Sequence, residues 1–69
     1  MTKTKLTDGE RALLLKLIEN DGQIKWVRLS SIESGHGTRL SRRFLTKWEL
    51  KPYDGKYLQI TQAGIEATQ

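Results

Sequence analysis

The chain has 69 residues, with twelve Lys and Arg against eight Asp and Glu, a net charge of +4 and no cysteine. A chain this short spends most of its large apolar residues on one core, and without cysteine it has neither a disulfide nor a thiolate metal site. No apolar run has the length of a signal sequence or a membrane span, so we expect a cytoplasmic protein whose mild basic excess favours anionic partners.

In chain order, Met1 to Lys5 reads as a flexible tail and residues 6–69 as a single domain, because no apolar anchor precedes Leu6. Thr7 and Glu10 have the spacing of a capping box, which starts a first helix there. Leu14, Leu17 and Ile18 form its apolar stripe, and Leu13 and Leu15 widen it to both flanks. Asn20-Asp21-Gly22 stops the helix, with Gly22 as the left-handed residue. Gln23 to Lys25 is a short edge strand waiting for a later partner. Trp26, Leu29 and Ile32 recur every three positions and predict a short second helix, which Glu33-Ser34-Gly35-His36-Gly37 should break.

Thr38 then begins a third helix running to about Trp48. At about 100 degrees per residue, Leu40, Phe44, Leu45 and Trp48 share one arc and face the core. Arg39, Arg42, Arg43 and Thr46 take the opposite arc. No acid lies between Gly37 and Lys47, whereas residues 1–36 nearly balance, with six cations and five anions.

Beyond Trp48 the apolar period changes from 3.6 to 2, which predicts a β-hairpin. A two-residue Asp54-Gly55 loop would turn Leu58 and Ile60 to the wrong face. A three-residue loop, Tyr53 to Gly55, pairs Leu50 with Leu58 and Trp48 with Ile60 and leaves Lys51, Tyr57 and Gln59 on the other face. Thr61 caps a last short helical turn that returns Ile65 to the core.

This order, helix, short strand, helix, turn, basic helix and hairpin, closed by Thr61-Gln62-Ala63-Gly64, resembles the winged helix-turn-helix family. The likeness is carried by Ile24, Leu29, Ile32, the turn Gly35 to Gly37, Leu40, Phe44, Leu45, Leu50 and the segment Leu58 to Gly64, whose end is similar to the wing-to-helix junction of MarR-like regulators. It implies an α+β fold with a three-helix core, a short strand and a C-terminal hairpin wing. It further implies a transcriptional regulator, nucleoid-associated in a bacterium, that binds double-stranded DNA with helix 38–48 in the major groove and hairpin 49–61 as the wing. Carried onto this chain, Thr38, Arg39, Arg42, Arg43, Thr46 and Lys47 would face the groove, and Lys51, Lys56 and Tyr57 would belong to the wing. Arginine suits the task, because its fork matches phosphate oxygens and the guanine edge alike.

Other chemistries find little support. His36 is the single histidine, no acid pair is placed for proton transfer, and Ser34-Gly35-His36-Gly37 lacks the lysine of a phosphate-binding loop, so we expect neither an enzyme nor a metal or other cofactor. Trp26 and Trp48 read as core rather than as stacking platforms. The competing reading is a winged helix used for protein–protein interaction, pairing with a second copy or another protein through the Leu13 and Leu15 flank.

Overall fold

The computed structural model describes residues 5–69; of the expected tail, residues 1–4 lie outside the described residues and Lys5 is exposed. The architecture is α+β: three helices and a three-stranded antiparallel sheet. Helix α1, Asp8–Glu19, starts at the capping box, with the Thr7 hydroxyl accepting from the Glu10 amide and the Glu10 carboxylate accepting from the Thr7 amide. It ends through a bond from the Gly22 amide to the Leu17 carbonyl, and both Asp21 and Gly22 take positive φ there.

Strand β1, Gln23–Lys25, leads into a single 3-10 turn, Trp26–Arg28. Helix α2 then runs Ser31–Arg42, and here the expectation fails in two ways. The second helix shrinks to one turn, and the glycine-rich segment that should break the chain is the middle of a helix. Ser30 and Glu33 form a second reciprocal capping box, which initiates α2 before the glycines are reached. A helical glycine costs about 1 kcal/mol relative to alanine, but packing requires one of them: a Cβ on Gly37 would stand 2.7 Å from Leu58 Cδ2. The stop comes at Arg42, so no helix spans residues 38–48.

Its C-terminus is a Schellman motif. The Leu45 amide bonds the Leu40 carbonyl, the Phe44 amide bonds the Ser41 carbonyl, and Phe44 holds the left-handed position at φ 63°. Leu40 and Leu45, which this motif brings together, are both core residues. Thr46 to Trp48, expected at the end of a helix, are strand.

Strand β2, Thr46–Lys51, and β3, Gly55–Ile60, form the hairpin, so it begins three residues before the expected 49. β3 is central, with order β1-β3-β2, and Ile24 opposes Leu58 as the short edge strand pairs with it. The loop has three residues, but they are Pro52 to Asp54, and Trp48 pairs with Leu58 while Leu50 pairs with Lys56. The expected register would have set Pro52 opposite Lys56 in the ladder, where proline has no amide to donate. The shift is by two, so every side chain keeps its face, yet Leu50 passes beyond the core and is exposed.

Helix α3, Gln62–Ala67, is capped by Thr61, whose hydroxyl accepts from the Gly64 amide. That hydroxyl also donates to the Phe44 carbonyl, while the Thr61 amide bonds the Leu45 carbonyl. Gly64 is buried against this turn, and a Cβ there would overlap the Leu45 carbonyl oxygen and stand 2.7 Å from Ile60 Cγ1. The core is Leu13, Leu14, Leu17, Ile24, Leu40, Leu45 and Leu58, with Leu6, Leu29, Trp48, Ile60 and Ala67 packed around it. Ile65 is only half-buried and stands outside that core, contrary to expectation. Trp26, Ile32 and Phe44, also expected inside, are exposed because the helices that would have buried them are not formed.

Candidate nucleic-acid interface

Around α2 the exposed residues Thr38, Ser31, Arg42, Arg39 and Ile32 fall within about 120 degrees of arc. Gly35 lies in the middle of that arc, and among the described residues the side chain nearest its Cβ position is Arg39, with Nη1 at 4.0 Å. The opposite arc is held down by Gly37 and Leu40, which are buried. Thus Thr38, Arg39 and Arg42 do share an outward face, though of a helix that starts seven residues earlier than expected.

The arginines on and beside it are not equivalent. Glu10, at the start of α1, is buried with 6% of its side chain exposed, and its carboxylate faces Arg39 Nε at 3.6 Å and Arg43 Nη1 at 3.7 Å. Arg43 Nη2 also donates to the Lys5 carbonyl at 2.7 Å. The hydrogen bond from the Thr7 amide holds the Glu10 carboxyl below the usual range; the Thr7 hydroxyl and the two guanidinium groups add to this, and burial works against it. Arg39 Nη2 further meets His36 Nδ1. His36 therefore sits mid-helix, its ring against Gly9 of α1, where a Cβ would come within 2.9 Å of Cε1. Arg42 makes no ion pair or hydrogen bond through its side chain among the described residues.

Two expected contacts are corrected. Thr46 is 2% exposed, and its hydroxyl donates to the Gly37 carbonyl at 3.1 Å and meets Ser41 Oγ at 3.0 Å, tying α2 to β2. It cannot face a groove. Lys47 is exposed but stands on β2 opposite Gln59, on the outer face of the sheet and not on the helix.

The expected wing residues form a network of their own on that outer face. Lys51 Nζ lies 4.3 Å from the centre of the Tyr57 ring and donates to Gln23 Oε1, which also accepts from Gln59. The Tyr57 hydroxyl donates to Asp54 Oδ2 at 2.7 Å, and Lys25 Nζ lies 3.3 Å from Asp54 Oδ1. The Tyr57 hydroxyl and Lys25 hold the Asp54 carboxyl below its ordinary value, and Asp54 in turn raises the Tyr57 phenol. Lys56 lies on the other face, its Nζ 4.7 Å from the centre of the Trp48 ring. Hence Lys51 and Lys56 of the hairpin are already engaged within the fold, while among the described residues Lys47 and Arg42 are not.

Sequence reasoning missed three participants. The sequence marks Glu10 only as a cap, because nothing local reveals that Arg39 and Arg43 return to it. Arg28, exposed on the turn just before α2, was hidden in a helix that does not form. Ser31 falls in the same expected helix, although the Ser30 to Glu33 spacing is a legible start signal for α2. Leu13, one half of the expected partner flank, is buried in the core, leaving Leu15 and Ile18 partly exposed. Among the described residues no cluster of three or more metal-ligating side chains occurs, and no helix is long and apolar enough to cross a membrane. No protein-family model matches the chain, and neither a curated protein nor a solved structure matches it.

Proposed function

We propose that the protein is a small DNA-binding domain of the winged helix-turn-helix kind, acting in transcriptional regulation with α2 as the element that enters the major groove. The observation that carries this reading is the outer arc of α2: Arg39 and Arg42 with Ser31, Gly35 and Thr38, and no acid on that arc. Gly35 lets backbone approach a phosphate chain closely, and Arg42 has no intramolecular partner to surrender among the described residues. A short strand before α2 and a hairpin after it accord with the resemblance, although the helix expected between β1 and α2 is a single 3-10 turn. The hairpin contributes less than the sequence implied, because Lys51 and Tyr57 are engaged.

The test is a titration with a mixed-sequence duplex at two salt concentrations. Three phosphate contacts by Arg39, Arg42 and one neighbour predict a slope of about −3 in log K against log salt, from about −0.9 per phosphate. Arg42→Ala should weaken binding and reduce that slope by about 0.9 without moving the melting temperature. Duplex affinity that is unchanged in an Arg39→Ala, Arg42→Ala double variant would sink the reading.

A second reading, a protein-interaction module, draws on a groove of about 520 Å³ lined by Trp26, Val27, Leu29, Ser30, Ser31 and Ser34. Trp26 and Val27 are exposed there, as is Ile32 on the adjoining helix. A mass that rises with concentration and returns to that of one chain in Val27→Ser would favour it.

A further inference from the structure

Phe44 occupies a position at which a large side chain is unfavourable for folding. It is the left-handed residue of the Schellman motif that ends α2, where glycine is preferred because a Cβ clashes with the following carbonyl. The ring returns little, since the residue is 80% exposed. The same task at the end of α1 is performed by Asp21, a residue type that tolerates left-handed backbone.

The turn that presents Phe44 is also unusually constrained. Its amide bonds Ser41, its carbonyl accepts from the Thr61 hydroxyl at 2.7 Å, and Gly64 packs directly on the next carbonyl. Backbone strain persists where surrounding contacts over-determine it, and it concentrates at functional positions. Arg42 and Arg43 precede the ring in sequence, and no acid occurs between Glu33 and Glu49. Arg43 pairs with Glu10 and the Lys5 carbonyl, whereas Arg42 has no side-chain partner among the described residues.

We infer that Phe44 is a stacking platform for an unpaired nucleobase at the edge of the nucleic-acid surface. This rests on the DNA-binding reading and deepens it. A duplex interior offers base edges to a protein, and base faces become available at unpaired positions, where aromatic side chains stack on them. An exposed ring on a constrained turn, directly preceded by Arg42 and Arg43, has the composition for that contact: the unpartnered Arg42 can hold a neighbouring phosphate, and the ring takes the base. The ligand class is therefore a duplex carrying a single-stranded extension.

The experiment compares a blunt duplex with the same duplex bearing a short mixed-sequence overhang, each titrated at several salt concentrations. The natural chain should bind the overhang duplex about tenfold more tightly, within the range of alanine substitutions at stacking aromatics. Phe44→Gly suits the left-handed backbone, so it should melt no lower than the natural chain. It should lose the overhang preference while keeping the salt slope, because no charge is removed. Phe44→Tyr should keep the preference.

Equal binding of the two duplexes by the natural chain, or a preference that survives in Phe44→Gly, would overturn the inference and leave the duplex-binding reading standing. Failure of the natural chain to bind either duplex would defeat both. A concentration-dependent mass that Phe44→Gly abolishes would assign the ring to a second copy of the chain and overturn the stacking role.

Discussion

The Nε of Arg39 lies 3.6 Å from Oε2 of Glu10, and the carboxylate it meets is almost completely buried beneath the start of α1. One acid thus restrains two of the three arginines that make the segment Gly37 to Lys47 so basic, since Arg43 approaches the same group. The cationic surface is partly neutralised from within.

Glu10→Gln keeps an acceptor for the Thr7 amide but removes the charge. We expect a loss of about 1 kcal/mol in stability and a rise of about two- to fivefold in duplex affinity at low salt. The latter corresponds to releasing exposed guanidinium groups from a pair worth about 0.5–1 kcal/mol. Denaturant unfolding and fluorescence anisotropy measure the two effects. A variant that binds no more tightly would show that Glu10 does not compete with phosphate.

The same carboxylate makes stability pH-dependent with a defined sign. The folded-state pKa of Glu10 is lowered from its ordinary 4.5, so its contribution is fully present above that value and is lost as the pH falls through the lower folded value. Glu33, held down first by its bond from Lys16 and then by the Ser30 amide, acts in the same direction. Acid unfolding followed by circular dichroism should be less steep in Glu10→Gln and flatter again when Glu33→Gln is added.

Two glycines should respond oppositely to alanine. Gly64→Ala drives a methyl group into the Leu45 carbonyl and toward Ile60, and should cost about 3 kcal/mol, at the upper end for overpacking. Gly35→Ala meets open space on the outer arc of α2 and should add about 1 kcal/mol through helix propensity. Thermal melts of both variants check the pair.

Thr46→Val tests the correction made to the expected groove residues. It leaves the Gly37 carbonyl without its side-chain donor in a buried place and should destabilise by about 1–2 kcal/mol. Once the variant is folded, its duplex affinity should match that of the natural chain. A selective loss of affinity would return Thr46 to the binding surface.

Much of the fold was legible because its signals are local. Thr7 with Glu10, the stop at Asn20 to Gly22, and Thr61 with Gly64 each act within one turn of backbone and were read as they stand. The alternation from Trp48 to Ile60 assigned the faces of the hairpin correctly, and only the missing amide of Pro52 moved its register. Local reading misjudged Glu33 to Gly37, where two glycines argued for a break. A capping box at Ser30 and a close approach of Gly37 to Leu58, a residue remote in sequence, made it a helix.

By itself, then, the sequence determined where α1 begins and ends, that a short strand follows it, which hairpin residues face inward, and that the chain's cations crowd between Gly37 and Lys47. Tertiary structure decided which of those cations remain available. That choice depends on a carboxylate from α1 reaching Arg39 and Arg43, and on a strand carrying Lys47 away from the helix that holds Arg42. Charge density is a property of composition, but the field at a surface depends on which opposite charges folding brings within a few ångströms.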